Sequence, residues 1–212
     1  NTFIWSSLSI IACFLGILSK EVMVTTPFII LLYDRTFIAH SFKDALTKRW
    51  QLYAGLIASW IPLAILLIHI KNQSVGYGLG VGVLKYVYTE SKAVIEYIKL
   101  CIWPNPLIFD RGAIFIDNLN EALPYGIILI IILGFCIWSL IKRPILGFIC
   151  SCYFIILSPT SSFVPIAEEP IAENRLYLPL CCVILLYVLI VLKYLNKKLG
   201  VLILLITLAL TI

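Results

Sequence analysis

Long apolar runs separated by short polar segments dominate this chain. The strict alternation of apolar and polar positions that a membrane-spanning barrel strand requires is absent. In lipid every backbone polar group needs a partner within the protein, so apolar runs of this kind predict helices. The pattern therefore predicts an all-α fold, a polytopic transmembrane helical bundle with about seven membrane segments.

The predicted segments differ in length. The first two would make one helix of about 48 Å, too long for a single crossing, so a break is expected at Ser19–Glu21, as a hairpin or a re-entrant element. Residues 34–50 are predicted to be a short basic loop. A further helix, Thr89–Trp103, is expected to lie at the interface and to end at the Trp103-Pro104 step. In chain order the seven segments are residues 3–18, 22–33, 52–70, 124–141, 145–158, 176–192 and 201–212.

Composition agrees with a membrane domain. Of the 212 residues 62% are hydrophobic and 13% are charged, and the mean hydropathy is +1.05. A soluble domain is about half apolar and about a quarter charged. We therefore expect residues 1–212 to form one transmembrane domain. The last run, at about 21 Å, is shorter than the roughly 30 Å hydrocarbon core, so we also expect the chain to be a fragment.

Charge differs between alternate loops. Residues 34–51, 142–143 and 193–198 carry nine Lys or Arg against two acids, whereas residues 19–21, 71–123 and 159–175 carry seven against nine. Basic short loops stay in the cytoplasm, so the second set is predicted to face outside or the lumen. Either a bacterial inner membrane or the endoplasmic reticulum membrane fits this topology.

Three places bring charged residues to the predicted outer edge of the membrane. They are Lys20-Glu21, Asp110-Arg111, and the segment that holds Glu173, Arg175 and Tyr177. Charges set against apolar spans are costly and are functional candidates, although ordinary interfacial flanks would look the same. The seven cysteines form neither a CxxC pair nor a Cys/His cluster with zinc spacing, so no metal site is predicted. Nothing in the pattern indicates a nucleic-acid partner.

Three motifs resemble a known family. "LSKE" at residues 18–21, followed by Thr-x-Pro and "LLYD", resembles a helix pair of the membrane O-mannosyltransferases that carry tetratricopeptide repeats, members of the GT-C superfamily. The Trp103-Pro104-x-Pro106-Leu107 segment followed by Asp110 resembles the outer-loop helix of that family. "VPI" at residues 164–166 and "AENRLYLP" at 172–179 resemble its "N-x-V-P-I…A-E-R-Y-L-P" segment, with serine at 161 and 162 where asparagine is usual.

The resemblance implies a GT-C-like transferase that moves a sugar, mannose above all, from a polyprenyl phosphate such as dolichyl phosphate to a serine or threonine of a protein. The lipid-linked sugar and the protein acceptor would be its partners besides the bilayer, and it implies no certain cofactor; a need for a divalent metal is left open. The catalytic acid of that superfamily lies in an outer loop expected upstream of residue 1, with Asp110 a weaker candidate here, and the repeat domain is expected downstream.

The same chemistry assigns roles to the candidate residues. A departing lipid phosphate needs cations at the membrane edge, so Lys20 and Arg175 are the expected phosphate contacts. Glu21 and Glu173 would orient those cations or bind sugar hydroxyls, and Arg111 and Tyr177 complete the expected donor site. Three other readings stay open: a GT-C enzyme that glycosylates a lipid or glycan, a purely structural membrane scaffold, and a secondary transporter, which would place ionisable residues near the middle of the bilayer.

Overall fold

The computed structural model describes residues 2–69, 82–108, 115–161 and 171–194. This part of the chain is helical with connecting turns and contains no strand, which confirms the all-α class. Two 3₁₀ turns (Glu21–Thr25 and Glu173–Leu176) and one π-helical turn (Asp34–Ile38) supplement the α-helices. These helices are α1 (Thr2–Ser19), α2 (Thr26–Tyr33), α3 (Phe42–Lys48), α4 (Trp50–Ala58), α5 (Ile61–His69), α6 (Val83–Ile102), α7 (Leu119–Lys142), α8 (Pro144–Leu157) and α9 (Leu180–Tyr194).

Two helices in the described part are long and apolar enough to cross a membrane. They are Leu119–Lys142 and the continuous stretch Glu173–Tyr194, and a third candidate is a pair of helical pieces, Val22–Ile38 and Phe42–Lys48, bent by 109°. Large apolar side chains cover the outside of α7, where Ile130 is 71% exposed. Such a surface suits lipid rather than water, so the helices are those of a membrane protein.

The break predicted at Ser19–Glu21 is confirmed, because α1 ends at Ser19 and a 3₁₀ turn follows. One other prediction in this region is wrong, since residues 34–50 are not a simple loop but form the π-helical turn and α3. The predicted segment 52–70 is interrupted by a turn at Ser59-Trp60 between α4 and α5, although Trp50–Ile65 still forms one apolar helical stretch. Pro62 explains this interruption, because it has no N–H to bond to the carbonyl of Ala58.

The second half of the chain follows the prediction more closely. Helix α6 ends at Ile102, where the Trp-Pro step was expected to end it, but it begins at Val83, six residues before the predicted start. Helix α8 differs by one residue at each end from the predicted 145–158. The predicted span 201–212 lies outside the described residues, as does the "VPI" motif at residues 164–166.

Contacts group the loops at two ends of the bundle. Helix α8 runs from one end to the other. At its start Phe148 packs against Phe37 of the π-helical turn, with ring centroids 5.4 Å apart, and Lys142, Arg143 and Lys193 line one cavity. We call this the Lys142 end. Beyond the other terminus of α8, the residues around Thr160 contact α6 and the turn that holds Arg175, which we call the Arg175 end. This grouping matches the two charge sets of the sequence.

Candidate functional site at the Arg175 end

Helix α6 provides one wall of the site with a continuous buried face. The side chains of Tyr86, Glu90, Ala93, Tyr97 and Leu100 recur at intervals of three or four residues, which is the spacing of one helix face. Of these, Ala93, Tyr97 and Leu100 pack with Tyr153 and Leu157 of α8 and with Leu176 in one apolar cluster. The cluster fixes α6 against α8 and the start of the last span, so the polar residues of that face meet the same neighbours.

Two hydroxyl groups of α6 hold the neighbouring loops in place. The backbone N–H of Ala172 donates a hydrogen bond to Tyr97 Oη at 2.8 Å, and that bond is buried. The N–H of Ile116 donates to Thr89 Oγ1 at 2.9 Å. Because each bond satisfies a buried backbone group that would otherwise be costly, α6 determines where the chain after Ala172 begins its turn.

That turn carries Arg175 inward. Its Nη1 atom donates to the carbonyl of Thr160 at 3.1 Å, and the Tyr86 hydroxyl donates to the same carbonyl at 3.3 Å. The Arg175 side chain is only 10% exposed, and its Nη1 lies 3.9 Å from Oε1 of Glu90. Arg175, at the beginning of the last span, therefore contacts both the segment after α8 and the buried face of α6.

Glu90 is the most unusual group in the site. It is 4% exposed, and among the described residues neither of its carboxylate oxygens, nor Oγ of Ser161, makes a hydrogen bond of ordinary geometry. Burial raises the pKa of Glu90 to about 7, while the hydroxyls of Tyr86 and Ser161 and the charge of Arg175 oppose that rise. Desolvation outweighs these three contributions because the carboxylate is almost completely removed from water, while the nearest nitrogen of Arg175 is 3.9 Å away.

Lys20 reaches the same end from α1. Its Nζ donates to Tyr177 Oη at 3.0 Å and lies 4.5 Å from the centroid of the Tyr177 ring. Both side chains are exposed, so Lys20 is a cation accessible from outside the bundle. Glu173 begins the 3₁₀ turn that precedes Tyr177, and its Oε1 accepts a hydrogen bond at 3.1 Å from the N–H of Ile108, after the Trp-Pro segment.

The structure thus brings together four of the residues proposed from sequence: Lys20, Glu173, Arg175 and Tyr177. The position of the Glu21 side chain and the whole of Asp110 and Arg111 lie outside what the structure describes. Sequence reasoning missed Glu90, which it counted only as one charge of an outer loop. The available signal was the spacing of Glu90, which lies four residues after Tyr86 and seven before Tyr97. This spacing puts the three residues on one face of a helix of mixed polarity.

The arrangement can hold an anion at its exposed side and a proton at its buried side. Lys20 offers an ammonium at the surface, Arg175 a largely covered guanidinium, and Glu90 a carboxyl group near its midpoint of titration at neutral pH. Within the described ranges no group of three His, Cys, Asp or Glu side chains is placed to hold a metal ion. No protein-family model, curated protein or solved structure matches this chain.

Proposed function

We propose that this chain belongs to a GT-C-like, multi-pass membrane glycosyltransferase with about seven membrane segments. It would move a sugar, mannose in the first instance, from a polyprenyl phosphate to a serine or threonine hydroxyl of a protein on the non-cytoplasmic face. The observation that supports this most is the contact of Lys20 with Tyr177, 157 residues further along the chain, which brings Lys20 to the short segment that also carries Glu173 and Arg175.

The reaction explains why cations are needed there. The acceptor hydroxyl attacks the anomeric carbon, the bond from that carbon to the phosphate oxygen breaks, and the phosphate leaves with the electron pair. The hydroxyl proton goes to a general base. Negative charge therefore grows on the phosphate, where Lys20 would meet it first because its ammonium is exposed. Arg175 lies deeper in the bundle, so its positive charge would stabilise the phosphate from a distance. It would contact the phosphate directly once the ligand replaces a present partner such as the carbonyl of Thr160.

Glu173 and Tyr177 suit the sugar side of such a site. The Glu173 carboxylate already accepts a hydrogen bond from Ile108 and has further lone pairs for sugar hydroxyls. The Tyr177 hydroxyl and ring both contact Lys20, so they would keep the ammonium at the surface of the bundle. Glu21, Arg111 and Asp110 remain proposed members of the site from the sequence.

A transfer assay on the full-length protein with labelled polyprenyl-phosphate sugars tests the proposal. We expect Lys20→Ala and Arg175→Ala to lose most transfer while membrane insertion is unchanged. Lys85→Ala is the matched control, because Lys85 is an exposed cation of the same predicted face that pairs with Asp117 at 2.7 Å. Rates equal to wild type in both variants would identify Lys20 and Arg175 as ordinary flanking charges.

The same assay separates the alternatives. Label in a lipid or glycan fraction instead of protein would identify a GT-C enzyme with another acceptor. A transporter would show uptake into sealed vesicles and no transfer. In the two span-length helices of the described part, charged residues occupy only the first and last turns, whereas a transporter uses charges near the bilayer middle.

A further inference from the structure

A cavity of about 830 Å³ lies between α7, α8 and α9 at the Lys142 end, away from the proposed transfer site. Its mouth carries three cations, Lys142, Arg143 and Lys193. Its depth is lined by apolar and aromatic side chains, among them Phe135 and Leu186. The lining residues that the structure describes include no carboxylate, so the positive charge at the mouth is not neutralised from within the cavity.

The apolar part continues toward the middle of the bundle. A second cavity, of about 270 Å³, shares Phe135, Ile149, Cys150 and Leu186 with the first and extends to Cys182. From Lys193 to Cys182 along α9 is about 16 Å at 1.5 Å per residue. This depth is about half of the roughly 30 Å hydrocarbon core, which is the thickness of one leaflet. The two cavities together therefore form a groove with a charged mouth and an apolar depth of one leaflet.

We propose that this groove binds one anionic phospholipid, with its phosphate against Lys142, Arg143 and Lys193 and an acyl chain along the apolar part. Basic pockets between membrane helices bind anionic head groups, and arginine can contact a phosphate through two nitrogens. Trp138 and Tyr194 flank the mouth, as aromatic side chains do at the level of the head groups. The site is independent of the proposed transferase activity.

The positive charge at the mouth of the groove argues against occupants other than an anionic phospholipid. A zwitterionic lipid would bring its own cation to a mouth that already has three. The chain after Tyr194 carries Lys197 and Lys198 and no acid, so its own terminal segment would add positive charge rather than balance it. A polyprenyl-phosphate sugar, on the proposed function, places its phosphate at the opposite end of the bundle.

Quenching of Trp138 by brominated phospholipids tests the proposal in the full-length protein in nanodiscs. The signal of Trp138 is the difference between wild type and Trp138→Phe. At equal mole fraction we expect brominated phosphatidylglycerol to quench this signal more than brominated phosphatidylcholine. Lys142→Gln/Lys193→Gln should reduce the preference by roughly fivefold for each lysine removed.

Lys43→Gln/Lys48→Gln is the matched control. Both lysines are exposed on α3, in the loop set that carries the same excess of positive charge, and the net charge changes equally. This variant should keep the wild-type preference. Equal quenching by the two lipids, or an equal loss of preference in both double variants, would refute a specific anionic site. Absence of quenching by either lipid would mean that protein, for instance residues 195–212, fills the groove, and would also refute it.

Discussion

The Nη1 atom of Arg175 lies 3.9 Å from Oε1 of Glu90, and both side chains are almost completely buried. This distance allows electrostatic attraction but is too long for a hydrogen bond. The arginine instead donates to the carbonyl of Thr160. The carboxyl group is thus close to a cation but poorly solvated, and its burial is the main reason that its pKa rises to about 7.

The titration of Glu90 can be observed directly. We expect a protonated-carboxyl stretching band in infrared difference spectra that is lost with a midpoint near pH 7 and is absent in Glu90→Gln. Arg175→Gln should move this midpoint upward, because the guanidinium lowers the pKa. Glu121→Gln, at an exposed carboxylate of α7, should leave the band unchanged. A band that disappears near pH 4.5 in wild type would contradict the assigned burial effect.

The same group should make stability depend on pH. Folding raises the pKa of Glu90 from 4.5 to about 7, so the folded state holds the proton more tightly. Its contribution is fully present below about pH 4.5 and is lost as pH rises through 7. Relative to Glu90→Gln, wild type should therefore lose about 3 kcal/mol of stability between pH 4.5 and 8. Thermal unfolding of both proteins in the same detergent across this range measures the difference; parallel curves would oppose the prediction.

A buried ion pair at the Lys142 end predicts a loss of folding stability when one of its charges is removed. Asp34 is 2% exposed, pairs with Arg49 and accepts a hydrogen bond from Tyr53 Oη at 2.7 Å. Asp34→Asn removes the charge and should cost about 2–3 kcal/mol, toward the low end for a buried pair because Arg49 is partly exposed.

Asp44→Asn is the control for that measurement. Asp44 lies in the first turn of α3 and makes no ion pair with any described residue. Its removal should cost well under 1 kcal/mol, which is the usual effect of a carboxylate on the dipole of an exposed helix. Similar midpoints of unfolding for the two variants would show that the Asp34–Arg49 pair contributes nothing beyond a surface charge.

Helices α7 and α8 approach each other at Gly147. A Cβ atom there would meet the backbone of Ser139 and Leu140, which cannot move aside as a flexible side chain can. Gly147→Ala should therefore destabilise the protein by about 3 kcal/mol or more. Gly134→Ala on α7, where a Cβ would meet nothing within 4 Å, should be neutral or slightly stabilising. Thermal unfolding in detergent would show whether the two alanines differ in this order.

The contact between Lys20 and Tyr177 predicts a common membrane face. In a variant without native cysteines, Lys20→Cys and Tyr177→Cys should both react with a membrane-impermeant maleimide added from the same side. Both side chains are exposed, so access should not limit the reaction. If the two positions react from opposite sides, the shared site and the enzymatic interpretation built on it fail together.

The elements that the sequence predicted best are those that local chemistry determines. The end of α6 at Ile102 follows from the prolines beyond it, and the start of α8 follows from Pro144, which suits the first turn of a helix. The interruption at Ser59-Trp60 was not predicted, because hydropathy averages over a window and does not register the hydrogen bond lost at Pro62. Asp34 and Arg49 were counted as loop charges, although they pair inside the fold.

By itself, the sequence determined that this protein is helical and that it has helices apolar enough for a membrane, because backbone hydrogen bonding in lipid favours helices and apolar runs are visible along the chain. From the distribution of charge it also predicts which loops share a side. Only the tertiary structure decided that Glu90 is buried next to Arg175, that Lys20 meets Tyr177, and that three cations line one groove. The reason is physical: burial, and with it the pKa of a carboxyl group, depends on which distant helices pack together, and no local pattern specifies that choice.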